Sequence, residues 1–274
     1  MRVAALALLA PLGVSHLAGA QECHDLPPSQ LPTAAPRHES ATDDREPPAP
    51  LLAVTTGLRL EAAAIHDPYD QPGSYQGAIP SLELTALGVR ARVAVGFYRV
   101  ELMTVDGSGL GDLQVGLQRA IVAITASTQL GATVSATLPT GDRTLALGMG
   151  HPMVMPSLYA HWTDSRSSVL ASVGYGRMLA SGAHHHFGPL VSPMNPEEVS
   201  AAVRGARRLG TRTELAAAVS GALPLTDDGD ARAAIAASAR WQLGDATELG
   251  VELSAPFAGS PIDARGAVDV SRTF

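Results

Sequence analysis

The chain has 274 residues, 46% of them hydrophobic, and carries a formal net charge of −7. Its charged share of 16% falls below the roughly 25% of a soluble domain. A net-acidic chain whose basic residues are all arginine, with no clustered basic face, excludes nucleic acid as the expected partner, and a single cysteine, Cys23, excludes an intrachain disulfide.

The first element is a targeting segment. Arg2 supplies a short positive region, Val3–Leu12 an apolar run too short to span a bilayer, and Ala18-Gly19-Ala20 a small-residue cleavage site. Residues 1–20 therefore read as a cleaved signal peptide. Ala20-Gln21-Glu22 lacks the small residues that lipoprotein processing requires before Cys23. Residues 21–50 hold Pro27, Pro28, Pro32, Pro36, Pro47, Pro48 and Pro50 with Asp43, Asp44 and Glu46, which predicts a Pro-rich disordered periplasmic linker.

From residue 51 to 274 the pattern is alternation. In Thr128–Leu138 the apolar residues Leu130, Ala132, Val134, Ala136 and Leu138 are separated by Gln129, Gly131, Thr133, Ser135 and Thr137. Side chains of a strand point alternately to two faces, so this segment has one oily face and one polar face. Leu58 and Leu60 alternate with Arg59 and Glu61, Val93 and Val95 with Arg92 and Ala94, and Leu249, Val251 and Leu253 with Glu248, Gly250 and Glu252. A lipid bilayer requires every backbone group to be paired internally, and a closed barrel of strands about ten residues long satisfies this. Alternation alone also fits a soluble β-sandwich; export and the C-terminus favour the membrane.

The expected fold is all-β, a single antiparallel transmembrane barrel of about 12 strands (range 10–14) with both termini periplasmic. Strands are expected near 51–63, 79–87, 89–102, 111–119, 127–138, 153–163, 168–180, 197–209, 212–224, 231–243, 246–256 and 262–274, with 64–78, 103–110 and 139–152 among the long loops and 120–126 a short turn. Trp162, Trp241 and Phe274 then fall at one interface, where aromatic girdles sit.

The polar face carries Arg59, Glu61, Arg90, Arg92, Arg204, Arg208, Glu248 and Glu252, expected to line the lumen as a cross-lumen charge network or a selectivity element. Arg232 and Arg240 belong to the same face. His184-His185-His186 lies in an expected outer loop; His-rich tracts bind zinc or copper, although adjacent residues point different ways and no His-x-x-x-His pair completes a ligand set. No Gly-x-Ser-x-Gly motif and no Ser/His/Asp set at matching heights supports an enzyme. No cofactor is expected. A structural or adhesive barrel acting through its outer loops is the alternative to transport.

Gly109-Leu110-Gly111-Asp112 opens one expected strand, Leu138-Pro139-Thr140-Gly141-Asp142 closes another, and the chain ends Val268-Asp269-Val270-Ser271-Arg272-Thr273-Phe274. Together these resemble the outer-membrane barrel family labelled as transporters of the meta-pathway of phenol degradation. The resemblance covers residues 51–274. It implies a cell-outer-membrane channel for small, often hydrophobic or aromatic, organic molecules, with outer-membrane lipid around it and no catalytic residues. Phe274 serves as the insertion signal through which the C-terminal strand meets the barrel-assembly machinery. Arg272 departs from the pattern, since such signals carry an aromatic or apolar residue there. Loop and turn chemistry accounts for every residue of the two internal motifs.

Overall fold

A computed structural model describes residues 52–66, 71–179, 191, 194–227 and 229–274. The expected signal peptide, the linker and His184-His185-His186 lie outside the described residues.

Fourteen strand segments succeed one another: β1 (Leu52–His66), β2 (Pro72–Ala86), β3 (Val89–Ala94), β4 (Phe97–Glu101), β5 (Asp106–Leu110), β6 (Leu113–Thr125), β7 (Thr128–Leu138), β8 (Met153–Thr163), β9 (Ser167–Met178), β10 (Glu197–Leu209), β11 (Thr213–Pro224), β12 (Arg232–Gln242), β13 (Thr247–Ala258) and β14 (Ile262–Thr273). All pairings are antiparallel, and β1 pairs with both β2 and β14, which closes the sheet on itself. β2 pairs with β3 through Ser81–Ala86 and with β4 through Ser74–Ala78, so β3 and β4 are two halves of one wall strand. β5 and β6 are likewise one strand interrupted at Gly111-Asp112. Fourteen segments thus form a closed barrel of 12 strands.

The alternation read from sequence is the alternation of the wall. Along β1, Arg59, Glu61, Ala63 and Ile65 are buried while Leu58, Leu60, Ala62 and Ala64 are exposed. A one-residue slip would exchange the two faces, so the pattern fixes the register: Arg59 faces Asp269 on β14 and Ile79 on β2. Leu117, Leu158, Val173, Val219 and Leu253 are among the large apolar side chains exposed on the outer face, as a lipid-facing band requires. β2 and β3 meet at the two-residue turn Leu87-Gly88, both with positive φ (53° and 73°), the twist that suits a tight hairpin.

Connections at one end of the ring are all four residues or fewer, whereas the other end carries both short and long ones. The former are 87–88, 126–127, 164–166, 210–212 and 243–246, and 139–152 lies at the opposite end. The chain enters and leaves at the short-turn end, where Phe274 N–H donates to the Val54 carbonyl at 2.8 Å. Trp162 and Trp241 are at this same end, opposite Thr128 and Thr213. Phe274 is 68% exposed, and the Arg272 guanidinium lies 5.1 Å from its ring centroid, a cation–π contact that gives the departing arginine a partner.

Three boundaries differ from expectation. β2 begins at Pro72 rather than 79, because Gly73 and Gly77 are not turn glycines: a Cβ on Gly77 would come 2.5 Å from the Tyr98 ring, and one on Gly73 2.8 Å from Leu102 Cγ. Residues 106–110, expected in a loop, form β5. Residues 120–125, expected as a turn, extend β6 past Arg119, its last residue paired with β3. The β-branched Ile121, Val122 and Ile124 favour strand, and bulges at Ala120/Val122 and Ala123/Thr125 let the segment track β7.

Candidate interior channel site

The inward side chains divide by height and by side. Near the middle, Arg59 Nε donates to Glu61 at 3.0 Å, its Nη2 to Glu252 at 3.0 Å and its Nη1 to Asp269 at 3.3 Å. Arg59, Glu61 and Glu252 are buried. One guanidinium thus ties β1, β13 and β14 together through three carboxylates. Its five donors in a planar fork make arginine suited to such multiple pairing. Arg92 on β3 lies within electrostatic reach of Glu83, Asp269, Arg59 and Arg240, so its environment draws on β12 and β14 across the interior.

Further pairs run along the wall. Arg90 lies 3.1 Å from Glu83, Arg204 2.8 Å from Glu214 and Arg240 3.5 Å from Glu248. Arg208 occupies the same even-numbered inward face of β10 as Arg204, opposite Glu214 in register. The eight charged residues singled out in the sequence therefore all lie on the interior face. Five of them, Arg59, Glu61, Arg90, Arg204 and Glu252, belong to pairs of 3.1 Å or shorter.

Two residues that sequence reasoning passed over complete the set. Glu198 on β10 is buried, pairs with Arg232 on β12, and accepts 3.0 Å hydrogen bonds from the Asn195 backbone N–H and side-chain amide. The Asn195 amide also donates to the Asp230 carbonyl, and its carbonyl oxygen accepts from the Asp230 N–H, both at 3.2 Å. The readable signal is the pair Glu197-Glu198: alternation sends one outward, where Glu197 accepts from the Tyr175 hydroxyl, and the other inward.

Toward the long-loop end the interior turns apolar on the side of β1, β2, β4 and β14, while the Glu198–Arg232 pair lies at the same end on β10 and β12. Ile65, Tyr75, Tyr98, Val100, Leu102 and Ile262 form a buried cluster, which Leu147 of the 139–152 loop enters and against which Leu145 packs. Tyr75 and Tyr98 meet edge to face with centroids 6.0 Å apart, a favoured aromatic geometry. Tyr98 occupies a socket of missing side chains, since a Cβ on Gly77, Gly96 or Gly111 would run into its ring.

The two internal motifs interlock here. The Asp112 carboxylate accepts the Gly141 N–H at 2.8 Å on one oxygen and the Met149 N–H at 2.7 Å on the other. The Thr140 hydroxyl donates to the Gly111 carbonyl at 3.3 Å and accepts the Leu113 N–H at 2.8 Å, and the Asp142 N–H donates to the Leu110 carbonyl at 2.8 Å. Gly141 and Gly148 cross over Asp112: a Cβ on Gly148 would fall 2.8 Å from the Asp112 oxygen and 2.8 Å from Gly141 Cα. Turn chemistry alone therefore does not account for these motifs. Gly111-Asp112 is the break in a wall strand, and Gly141 is a close-approach glycine.

No group of three or more histidine, cysteine or carboxylate residues suited to a metal occurs among the described residues. His161 is buried on the interior face, within electrostatic reach of Arg204 and Glu214.

No protein-family model matches the sequence, and no curated protein matches it. Solved structures do match the fold. An outer-membrane channel from Pseudomonas putida aligns over 86% of this chain and 100% of its own, with a TM-score of 0.67 at 18% identity. The KdgM porin, solved in complex with disordered oligogalacturonate, aligns over 80% of this chain and 99% of its own (TM-score 0.54, 8% identity). The NanC porin aligns over 81% and 98% (TM-score 0.54, 8% identity). The chain has the antiparallel 12-strand barrel fold that outer-membrane channels adopt.

Proposed function

We propose that the chain is an outer-membrane channel for small organic molecules with an apolar or aromatic body. The observation that carries this reading is an apolar sector of the interior at the long-loop end, on β1, β2, β4 and β14, next to a charged waist. A mouth of Ile65, Tyr75, Tyr98 and Leu102 leads to a waist where Arg59 is held by Glu61, Glu252 and Asp269. A solute leaves water against the aromatic edges of the mouth, and the waist, whose charges are fixed by one another, sets which charge passes. The long-loop end faces outward and both termini face the periplasm. Phe274 and the last strand engage the barrel-assembly machinery. The band of exposed leucine and valine on the outer face, bounded at the short-turn end by Trp162, Trp241 and Phe274, supports the membrane setting.

Residues 21–274 refolded into liposomes are expected to take up small aromatic solutes faster than protein-free vesicles, and to run as a heat-modifiable band on gels. Uptake equal to protein-free vesicles overturns the channel, and a protein folded and soluble without detergent overturns the membrane setting as well. Arg59→Ala leaves three carboxylates without their shared counter-charge. Reversal potentials across planar bilayers should therefore move toward cation preference. In cells, deletion of Phe274 is expected to reduce assembly into the outer membrane; undiminished assembly removes its role as the insertion signal.

A further inference from the structure

We infer that the 139–152 segment is a movable lid over the channel mouth, latched shut by the carboxylate of Asp112. The inference rests on the channel reading for its purpose and on separate observations for its mechanism. The segment is joined to the barrel at Leu138 and Met153 and contains one short helical turn, Arg143–Leu145. Asp142 caps that turn, accepting the Thr144 N–H at 2.9 Å and the Thr144 hydroxyl at 2.7 Å. The turn thus holds its own shape without the wall, as a body that moves as a unit must.

Near its outgoing end the segment is tied to the wall by the Thr140 hydroxyl, on Gly111 and Leu113, and by the Asp142 N–H on the Leu110 carbonyl, and the side chain of Asp112 holds both of its arms. Asp112, half-buried at the break between β5 and β6, receives one N–H from each arm of the segment, Gly141 on the outgoing side and Met149 on the returning side. Hydrogen bonds to an ionised acceptor are the strong kind, and here both depend on one side chain. Beyond the latch, Leu145 and Leu147 reach Tyr98, Val100 and Leu102, the residues assigned to the mouth. On the β5 side the fit depends on absent side chains: a Cβ on Gly107 would come 2.7 Å from Leu145, and one on Gly109 3.2 Å from Leu147. The seat is smooth, so the leucines withdraw without any strand being unpaired. A small recess bounded by Tyr98, Asp112, Gln114, Thr137 and Met149 already lies beneath the lid.

Closure is therefore the latched state, and opening requires the Gly141 and Met149 N–H groups to leave the Asp112 carboxylate and the Asp142 N–H to leave the Leu110 carbonyl, while the Thr140 hydroxyl holds the base of the segment to Gly111 and Leu113. A solute that occupies the seat of Leu147 against Tyr98 competes with the lid, which links access to arrival of an apolar ligand at the mouth.

The test uses full-length mature protein with Cys23 replaced by Ser and Leu147→Cys as a reporter, folded in detergent and verified as heat-modifiable. With Asp112 intact, the buried reporter is expected to react slowly with a water-soluble maleimide. Asp112→Asn should raise the labelling rate at least about tenfold, since it removes the charge from both latch bonds. Gly148→Ala, which pushes a methyl against the Asp112 oxygen from the opposite side, should do the same if Asp112→Asn fails to fold. Without the reporter, either variant should raise single-channel conductance or open probability several-fold in planar bilayers. Labelling unchanged in a folded variant overturns the lid. Faster labelling with unchanged conductance, in a protein that conducts, overturns its gating role. Absence of conductance in every form overturns the channel reading instead, and labelling alone then decides whether the segment is a latched, movable strap.

Discussion

From β8 to β14 each strand is one unbroken run, and its interior charges pair along and across the wall: Glu198 with Arg232, Arg204 with Glu214, Arg240 with Glu248. From β2 to β7 two strands are broken, and beyond the Arg90–Glu83 pair the interior at the long-loop end is filled by Tyr98, a set of glycines and a loop. A continuous ladder satisfies its own backbone, so its interior face is free to carry charge, provided each charge has a partner. Where the ladder stops at Gly96 and Gly111, backbone groups need other partners. Gly111 N–H donates to Gly96 carbonyl at 2.8 Å, Leu113 N–H donates to the Thr140 hydroxyl, and the Leu110 and Gly111 carbonyls accept from the Asp142 N–H and the Thr140 hydroxyl. The regular half is built for cohesion; the interrupted half is where the barrel has a part that moves.

The largest expected effect lies in the regular half. Glu198→Ala removes the carboxylate that holds Arg232 and both Asn195 donors. Breaking one side of a buried, hydrogen-bonded ion pair costs about 3–5 kcal/mol. Reversible unfolding in detergent and urea should show a loss of that order. A loss as small as that of an exposed pair would mean that the two halves do not differ in how they are held.

In the interrupted half the sharpest single change is Gly111→Ala. Its methyl would sit 2.6 Å from a Tyr98 ring carbon, and overpacking of this kind costs about 1–3 kcal/mol. Gly116→Ala on β6, where nothing lies within 4 Å, is the control and should be nearly neutral. Equal losses at the two positions would mean that Tyr98 has no socket that depends on missing side chains.

The same division decides what could be read from the residues alone. In the regular half, alternation of Ala, Val and Leu with Arg and Glu is the wall itself, so strand facing there, with Arg204, Arg208, Glu248 and Glu252 on the inner face, followed the periodicity. In the interrupted half glycine has two meanings. Gly88 is a turn residue with positive φ, whereas Gly77, Gly107, Gly109 and Gly141 make room for side chains far away in sequence. One-dimensional reading treats both as breaks, which is why 72–78 and 106–110 were expected as loops. Glu198 escaped notice for a related reason: its significance comes from Asn195, Asp230 and Arg232, and the last two reach it only through the folding of β10, β11 and β12 onto one another.

The smallest effect compares one motif in both halves. Asp142 in the lid accepts from Thr144, and Asp164 in the β8–β9 turn accepts the Arg166 and Ser167 N–H groups at 2.7 and 2.6 Å. The Thr144 hydroxyl, together with its N–H, holds the Asp142 carboxyl below its ordinary range, and the Arg166 N–H, together with that of Ser167, does so for Asp164. A carboxylate whose folded value is depressed stabilises the fold above its unfolded value, about 3.9. That contribution disappears as pH falls through the lower folded value. Protection of the Thr144 and Ser167 amides, measured as exchange relative to the intrinsic rate at the same pH, is therefore expected to be high at neutral pH and to fall only below the ordinary carboxylate range. Asp142→Ala and Asp164→Ala should each abolish the protection already at neutral pH. The two halves differ in the wider consequence of losing the cap: Asp142→Ala also loosens the lid and speeds labelling of Leu147→Cys, whereas Asp164→Ala leaves that labelling unchanged because its turn is anchored at both ends by continuous strands. Equal labelling in the two variants would place the cap of the lid outside the device that Asp112 latches.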